Sequence, residues 1–222
     1  MRKNKPADHD LVPVLNAIVR STGKRRRTAN VWSFLEGRCL AARQVASPNY
    51  GMRPLEMPIS LVILHAISLP PGKFGGGEVE ALFTNRLDYS AHPYFATLEG
   101  VRVSTHFFLR RDGELVQFVN VAHRAWHAGL STWRGQNNCN DFSVGIELEG
   151  DNNNPYTEAQ YAVLQQLLAA LFAAYPTLTE VVGHQHVAPE RKTDPGPCFE
   201  WARLRTQFPN LGLPEAVPEI ME

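Results

Sequence analysis

The segment His184-Gln-His-Val-Ala-Pro-Glu-Arg-Lys192-Thr-Asp194-Pro-Gly-Pro197 constrains this chain more than any other. The eleven residues from His184 to Asp194 carry imidazole, ammonium and carboxylate groups and run directly into Pro-Gly-Pro. Proline and glycine at that density continue neither a helix nor a central strand, so an irregular loop is predicted here. Such a loop can fold Asp194 back toward His184. A second, isolated imidazole, His65, ends the apolar run Leu61-Val-Ile-Leu64. Two imidazoles and one carboxylate from separate elements make a three-ligand zinc site with an open fourth position, the catalytic rather than the structural pattern.

Each piece alone has a plainer reading. A histidine at a strand end is often a hydrogen-bonded core residue. His184 and His186 share a face if the strand continues through both, whereas a chain already turning at Val187 leaves His186 merely solvated. Lys192 and Asp194 also make an ordinary surface ion pair, worth little. A third element favours the metal. In Asp141-Phe-Ser-Val-Gly-Ile-Glu147-Leu-Glu149, Ile146 and Leu148 point one way and Glu147 and Glu149 the other. A carboxylate on a strand facing a cleft is the general base that a zinc hydrolase requires.

The remaining elements alternate between strands and helices. Leu61 to Ile67 is predicted as a buried strand. Val79 to Arg86 reads as a short helix. Ser104 to Leu109 and Leu115 to Val119 flank Asp112-Gly113, a hairpin signal. Ser143 to Glu149 is another strand. The longest helix starts at Thr157, where Gln160 completes a capping box, and stops before Pro176. Its Tyr161, Leu164, Leu168, Leu171, Phe172 and Tyr175 form a core stripe rather than a cofactor box. A strand from Thr179 to His184 and a helix from Phe199 to Phe208 close the chain. The expected fold class is α/β: one domain with a central mixed β-sheet flanked by helices and zinc at the strand ends.

The matching stretches that carry a family likeness are His65-Ala-Ile-Ser-Leu-Pro-Pro-Gly72, Ala91-His-Pro-Tyr-Phe95, Arg110-Arg-Asp-Gly-Glu114, Arg124-Ala-Trp-His-Ala-Gly129, Cys139 through Gly150 and His184 through Pro197. In this order they resemble the zinc-dependent N-acetylmuramoyl-L-alanine amidase and peptidoglycan-recognition superfamily, in particular its 1,6-anhydro-N-acetylmuramyl-L-alanine amidases. The resemblance implies Zn2+ on His65, His184 and Asp194, with Glu147 as general base and Lys192 stabilising the transition state. Aspartate rather than cysteine at 194 points to the anhydro-muropeptide branch. Ala66 departs from that branch, which usually has asparagine after the first zinc histidine, and so removes a polar group expected close to the metal. His186 has no counterpart in it. Arg102, Trp126, His127 and Arg191 are the expected substrate anchors, because guanidinium forks match carboxylates and an indole covers a sugar or peptide face. Arg102 and Arg191 serve equally as structural ion-pair partners, and His106, amid phenylalanines, reads as core.

Composition fits an ordinary single core of 222 residues. Twenty-two basic side chains balance 22 acidic ones, so no basic field argues for nucleic acid. Cys39, Cys139 and Cys198 are widely spaced and read as reduced thiols. The N-terminal stretch forms no apolar signal core, and no run reaches the length of a membrane span. A cytoplasmic, monomeric enzyme without a nucleic-acid or membrane partner is therefore expected. Its domain spans 37–210, between an N-terminal extension of 1–36 and a tail of 211–222. The extension carries the basic block Lys24-Arg-Arg-Arg27, read as a solvated segment, and a Trp32, Phe34, Leu35 cluster suited to docking on the domain. The loop Gly72-Lys-Phe-Gly-Gly-Gly77 matches no phosphate-binding spacing and is expected as a mobile lid or a substrate-side loop. Three functions follow as candidates: an amidase that recycles soluble anhydro-muropeptides, an exported amidase acting on intact wall, and a non-catalytic peptidoglycan-recognition module.

Overall fold

A computed structural model describes residues 31–214. The basic block Lys24 to Arg27, and with it most of the expected extension and tail, lies outside the described residues. Six strands form one mixed sheet in the order Glu180–Gly183, Leu61–Ile67, Ser143–Glu149, Phe107–Leu109, Leu115–Gln117, Arg43–Gln44. The first four run parallel to one another, and only the Phe107–Leu109 and Leu115–Gln117 pair is antiparallel. That pair is the expected hairpin. Gly113 at its tip has φ +92°, open to glycine at little cost, and Asp112 Oδ1 accepts the Glu114 amide at 2.9 Å.

The Leu61–Ile67 and Ser143–Glu149 strands are covered on both faces. Val62, Leu64, Val144, Ile146 and Leu148 pack against the long helix Glu158–Ala174 through Leu164, Leu167, Leu168 and Leu171. Each of these leucines is fully buried, which contributes roughly 1.5–3 kcal/mol apiece. Thr157 and Gln160 cap this helix reciprocally as expected, a device worth about 1 kcal/mol. On the other face, the helix Glu78–Phe83 and Phe95 pack against Phe108 and Val116. Phe34 meets Phe107 and Tyr175 edge-on, and Trp32 packs on the same cluster, while Leu35 of that expected docking trio stays exposed.

Several boundaries differ from expectation. The strand before the hairpin begins at Phe107 rather than Ser104, because the Ser104 hydroxyl bonds the Asn49 carbonyl and its backbone N–H the Trp126 carbonyl. The last strand ends at Gly183, and His184–Val187 is a single helical turn. His184 and His186 therefore do not share a strand face. The helices Glu78–Phe83 and Trp201–Gln207 are shorter than predicted.

Candidate metal centre and cleft

Three neighbouring parallel strands bring their carboxyl ends side by side, the usual location for a ligand site in an open α/β sheet. His65 lies near the end of Leu61–Ile67, directly opposite Glu147 in the register. Gly183 pairs with Leu64, so His184 follows alongside His65. Gly183 has no side chain for a reason: a Cβ there would lie 2.6 Å from Pro195 Cδ and 3.3 Å from the Asp194 carbonyl oxygen. The bare backbone lets the Asp194 loop fold back against the strand end. The Gln185 N–H donates to the Asp194 carbonyl at 2.9 Å, and the Tyr156 hydroxyl holds the Pro195 carbonyl at 2.7 Å.

The result is a triangle of donor atoms. His65 Nδ1 is 2.9 Å from His184 Nδ1, His184 Nδ1 is 3.0 Å from Asp194 Oδ2, and His65 Nδ1 is 3.3 Å from the same oxygen. Metal bonds of about 2.0–2.1 Å in tetrahedral geometry place ligand atoms about 3.3 Å apart, so the triangle has the right size. His184 Nε2 faces the Ala128 carbonyl at 3.1 Å. A carbonyl only accepts, so Nε2 carries the proton and Nδ1 offers its lone pair. Burial lowers the His65 pKa to about 4, keeping that ring neutral. Burial alone would raise the Asp194 carboxyl, but its contacts with His184 and His65 outweigh that and hold it well below the usual carboxylate range. Neutral imidazoles and an ionised carboxylate are the states that ligate a metal. His65, His184 and Asp194 thus form a group able to hold one ion.

Glu147 Oε1 stands 4.0 Å from His65 Nδ1, and its Oε2 is buried with no hydrogen-bond partner among the described residues. Burial, then the charge of Asp194, pushes its pKa well above the ordinary value. Lys192 borders the same cleft of about 450 Å³, together with Trp126, His127, Tyr94, Asp151 and Arg191.

Other candidates take different places. Glu149 is engaged elsewhere: its Oε1 accepts the Gly75 N–H at 2.6 Å and its Oε2 the Arg111 N–H at 3.0 Å. It ties the Gly72–Gly77 loop to the hairpin, where Arg110 also donates to the Gly76 carbonyl at 2.9 Å and Arg111 covers the Phe74 ring at 4.6 Å. The expectation of a lid is corrected accordingly. The loop is braced on the hairpin, and the cleft wall beside it is made by Ser68, Leu69 and Pro71. Ala66 packs against the core on the long-helix side and also borders the cleft next to His65.

Arg102 is exposed, donates to the neighbouring Val101 carbonyl and lies outside the cleft wall, which its neighbour Val103 joins. Arg191 borders the cleft, but its Nη2 also braces the Ala128 and Leu130 carbonyls at 2.8 and 2.6 Å. His186 accepts the Gly183 N–H at 2.8 Å and packs on Trp201, a structural cap. His106 is fully buried, as expected, and accepts the Gly145 N–H at 3.0 Å. Cys198 contacts the Asn152 carbonyl and is not part of the metal group. Sequence reasoning missed Asn140, whose Oδ1 accepts the His127 and Ala128 amides at 3.0 and 2.8 Å. No local spacing marks a residue that works through a loop lying before it in the chain.

Comparison with known proteins agrees with this geometry. The family model for N-acetylmuramoyl-L-alanine amidases matches residues 55–197, a span that contains every residue of the donor triangle. The 1,6-anhydro-N-acetylmuramyl-L-alanine amidase AmpD of Citrobacter freundii is 53% identical over 171 residues, covering 77% of this chain and 91% of the relative. The crystal structure of a Se-Met AmpD derivative superposes with a TM-score of 0.77 at 52% identity, over 78% of this chain and 98% of that one. The Escherichia coli amidase AmiD, solved in complex with anhydro-N-acetylmuramic acid-L-Ala-D-gamma-Glu-L-Lys, gives a TM-score of 0.52 at 30% identity, over 71% and 60% of the two chains. Carrying both this sheet and this matched span, the chain belongs to the N-acetylmuramoyl-L-alanine amidase family and is an amide hydrolase.

Proposed function

We propose that this protein is a zinc-dependent amidase of peptidoglycan recycling. It hydrolyses the amide between the lactyl group of anhydro-N-acetylmuramic acid and L-alanine in soluble muropeptides. The observation that carries the reading is the donor triangle of His65, His184 and Asp194 with the Glu147 carboxyl beside it, whose Oε2 has no hydrogen-bond partner among the described residues. High identity to AmpD along nearly its whole length supports the choice of substrate.

His65, His184 and Asp194 would hold zinc, which when bound would supply Lewis acidity and would lower the pKa of water there toward about 7. Glu147 accepts the proton of the attacking water and returns it to the departing alanine nitrogen, a contribution of about 10²–10⁴-fold. The Lys192 ammonium, on the same cleft wall, offsets the negative charge growing on the amide oxygen. Trp126 and Arg191 border the cleft and are the candidates for covering the sugar and meeting a stem-peptide carboxylate. Arg102, next in sequence to the cleft-lining Val103, meets a carboxylate where the stem peptide runs beyond the cleft. His127 borders the cleft and also touches His65 at 2.9 Å, and acts on the metal group through that contact.

A cytoplasmic location and action as a monomer belong to the same proposal and rest on the likeness to recycling amidases. Among the described residues, no helix is long and apolar enough to cross a membrane. The test is zinc-dependent release of stem peptide from anhydro-muropeptides, run beside intact sacculi. A zinc-loaded protein that leaves anhydro-muropeptides uncut overturns the reading.

A further inference from the structure

We infer that the segment His127–Ala128 sets the proton positions of both metal-binding imidazoles, and that His127 is a positioning residue rather than a substrate anchor. The inference deepens the proposed function and rests on its metal site. It starts from a serine. The Ser143 hydroxyl has one proton, and it points at the Cys139 carbonyl 2.5 Å away. Toward His127 Nε2, at 3.4 Å, the Ser143 oxygen therefore only accepts. An imidazole with one ring proton presents a donor on one nitrogen and an acceptor on the other, and the Ser143 oxygen takes the donor of the buried His127 ring. That proton sits on Nε2, and Nδ1 is left as an acceptor.

His127 Nδ1 lies 2.9 Å from His65 Nε2. Two facing lone pairs cannot bond, so His65 places its own proton on Nε2 and turns the Nδ1 lone pair toward His184 and Asp194. One residue further on, the Ala128 carbonyl does the same to His184 by accepting its Nε2 proton at 3.1 Å. A short stretch of chain thereby locks two imidazoles, one on a strand and one on the helical turn that follows the neighbouring strand, in the tautomer with Nδ1 open to a metal. Partners of this kind in the outer shell fix ring orientation and typically change metal affinity 10–100-fold when removed.

Two further features hold the stretch in place. Asn140 Oδ1 accepts both of its amides, at 3.0 Å from His127 and 2.8 Å from Ala128. The His127 ring lies over Gly145, where a Cβ would come within 2.5 Å of His127 Cγ. Glycine in the middle of a strand is ordinarily a loss, and here it clears the space the ring occupies. The contact is specific to this geometry: 62 residues separate His65 from His127.

The experiment measures zinc dissociation constants by chelator competition for wild type, His127→Phe and His127→Gln, with circular dichroism to confirm the fold. His127→Phe, which removes the acceptor, is expected to bind zinc about 10–100-fold more weakly. His127→Gln retains a carbonyl acceptor and is expected to recover part of that loss. Nitrogen-15 spectra of the metal-free wild type provide an independent reading, with the His65 proton expected on Nε2 whatever the variants do. Equal zinc affinity in a folded His127→Phe, or a His65 proton on Nδ1, overturns the inference. Wild-type protein that binds no zinc overturns the proposed function instead, so the two failures are separable.

Discussion

Glu147 and His65 sit directly opposite one another on adjacent parallel strands, with both side chains on the face away from the long helix. Neither residue needs a loop to reach the other. In parallel pairing the side chains of register partners project to the same side, so the carboxyl and the imidazole are set at a fixed separation by the sheet itself. The third group, Asp194, comes instead from a loop, and its position depends on the bare backbone of Gly183.

Removing the loop's contribution separates the metal from the fold. Asp194→Ala is expected to lose zinc and turnover together while the sheet persists, because two imidazoles alone hold the ion poorly. Elemental analysis of the purified variant checks this, and full zinc occupancy would remove Asp194 from the ligand set.

Glu147→Gln is expected to retain zinc and lose about 10²–10⁴-fold in kcat, since an amide cannot take the proton of the attacking water. Glu149→Gln is expected to act differently, because Glu149 braces two backbone amides. Its loss should cost roughly 1–3 kcal/mol of stability, with kcat largely preserved. Steady-state kinetics and denaturant melts on both variants distinguish the roles; equal loss of kcat would mean that Glu149 also takes part in the chemistry.

The buried Glu147 carboxyl also predicts a pH dependence in metal-stripped protein. Its pKa is raised above the ordinary 4.5 in the folded state by burial and by Asp194. The folded protein therefore keeps this proton after the unfolded chain has lost it. The contribution is fully present below pH 4.5 and is lost as pH rises through the raised folded value. Glu147→Gln lacks this loss, so its stability relative to wild type should increase with pH above 4.5. Urea titrations of both chelated proteins between acid and mildly alkaline pH give the comparison, and parallel stability curves would contradict it.

Gly183→Ala tests the backbone approach. A Cβ 2.6 Å from Pro195 Cδ must push the Asp194 loop outward, an overpacking cost of about 1–3 kcal/mol. Zinc affinity should fall along with the melting temperature. A variant with lowered melting temperature and unchanged zinc affinity would show that Asp194 reaches the site without this close approach.

Substrate choice follows from the proposed function. The kcat/KM on an anhydro-muropeptide is expected to exceed that on the non-anhydro muropeptide with the same stem peptide, and intact sacculi should be cut least. Faster digestion of sacculi would assign the protein to the wall-directed amidases.

Much of this molecule was legible from local pattern. The Leu61–Ile67 and Ser143–Glu149 strands match expectation to the residue because the apolar run of one and the apolar-polar alternation of the other are local patterns, although all seven residues of the second are buried. The capping box at Thr157 and the Asp112-Gly113 hairpin are equally local, each decided within four residues. Side-chain chemistry pointed to His65, His184 and Asp194, and the family resemblance picked out Glu147 and Lys192; all five border one cleft.

Tertiary structure decided the partners. Glu147 and Glu149 are indistinguishable by strand periodicity, and only the order of the sheet and the position of the hairpin give one the metal group and the other two amides to brace. The Gly72–Gly77 loop reads as mobile by composition, yet Arg110, Arg111 and Glu149 hold it in place. His65 meets His184 across 119 residues and His127 across 62. Sequence carries which groups ionise, ligate or turn, because those properties belong to single residues and short windows. Adjacency across such separations arises only when the parallel strands pack in their particular order, since it is the shared core, and not any local preference, that sets which strand lies beside which.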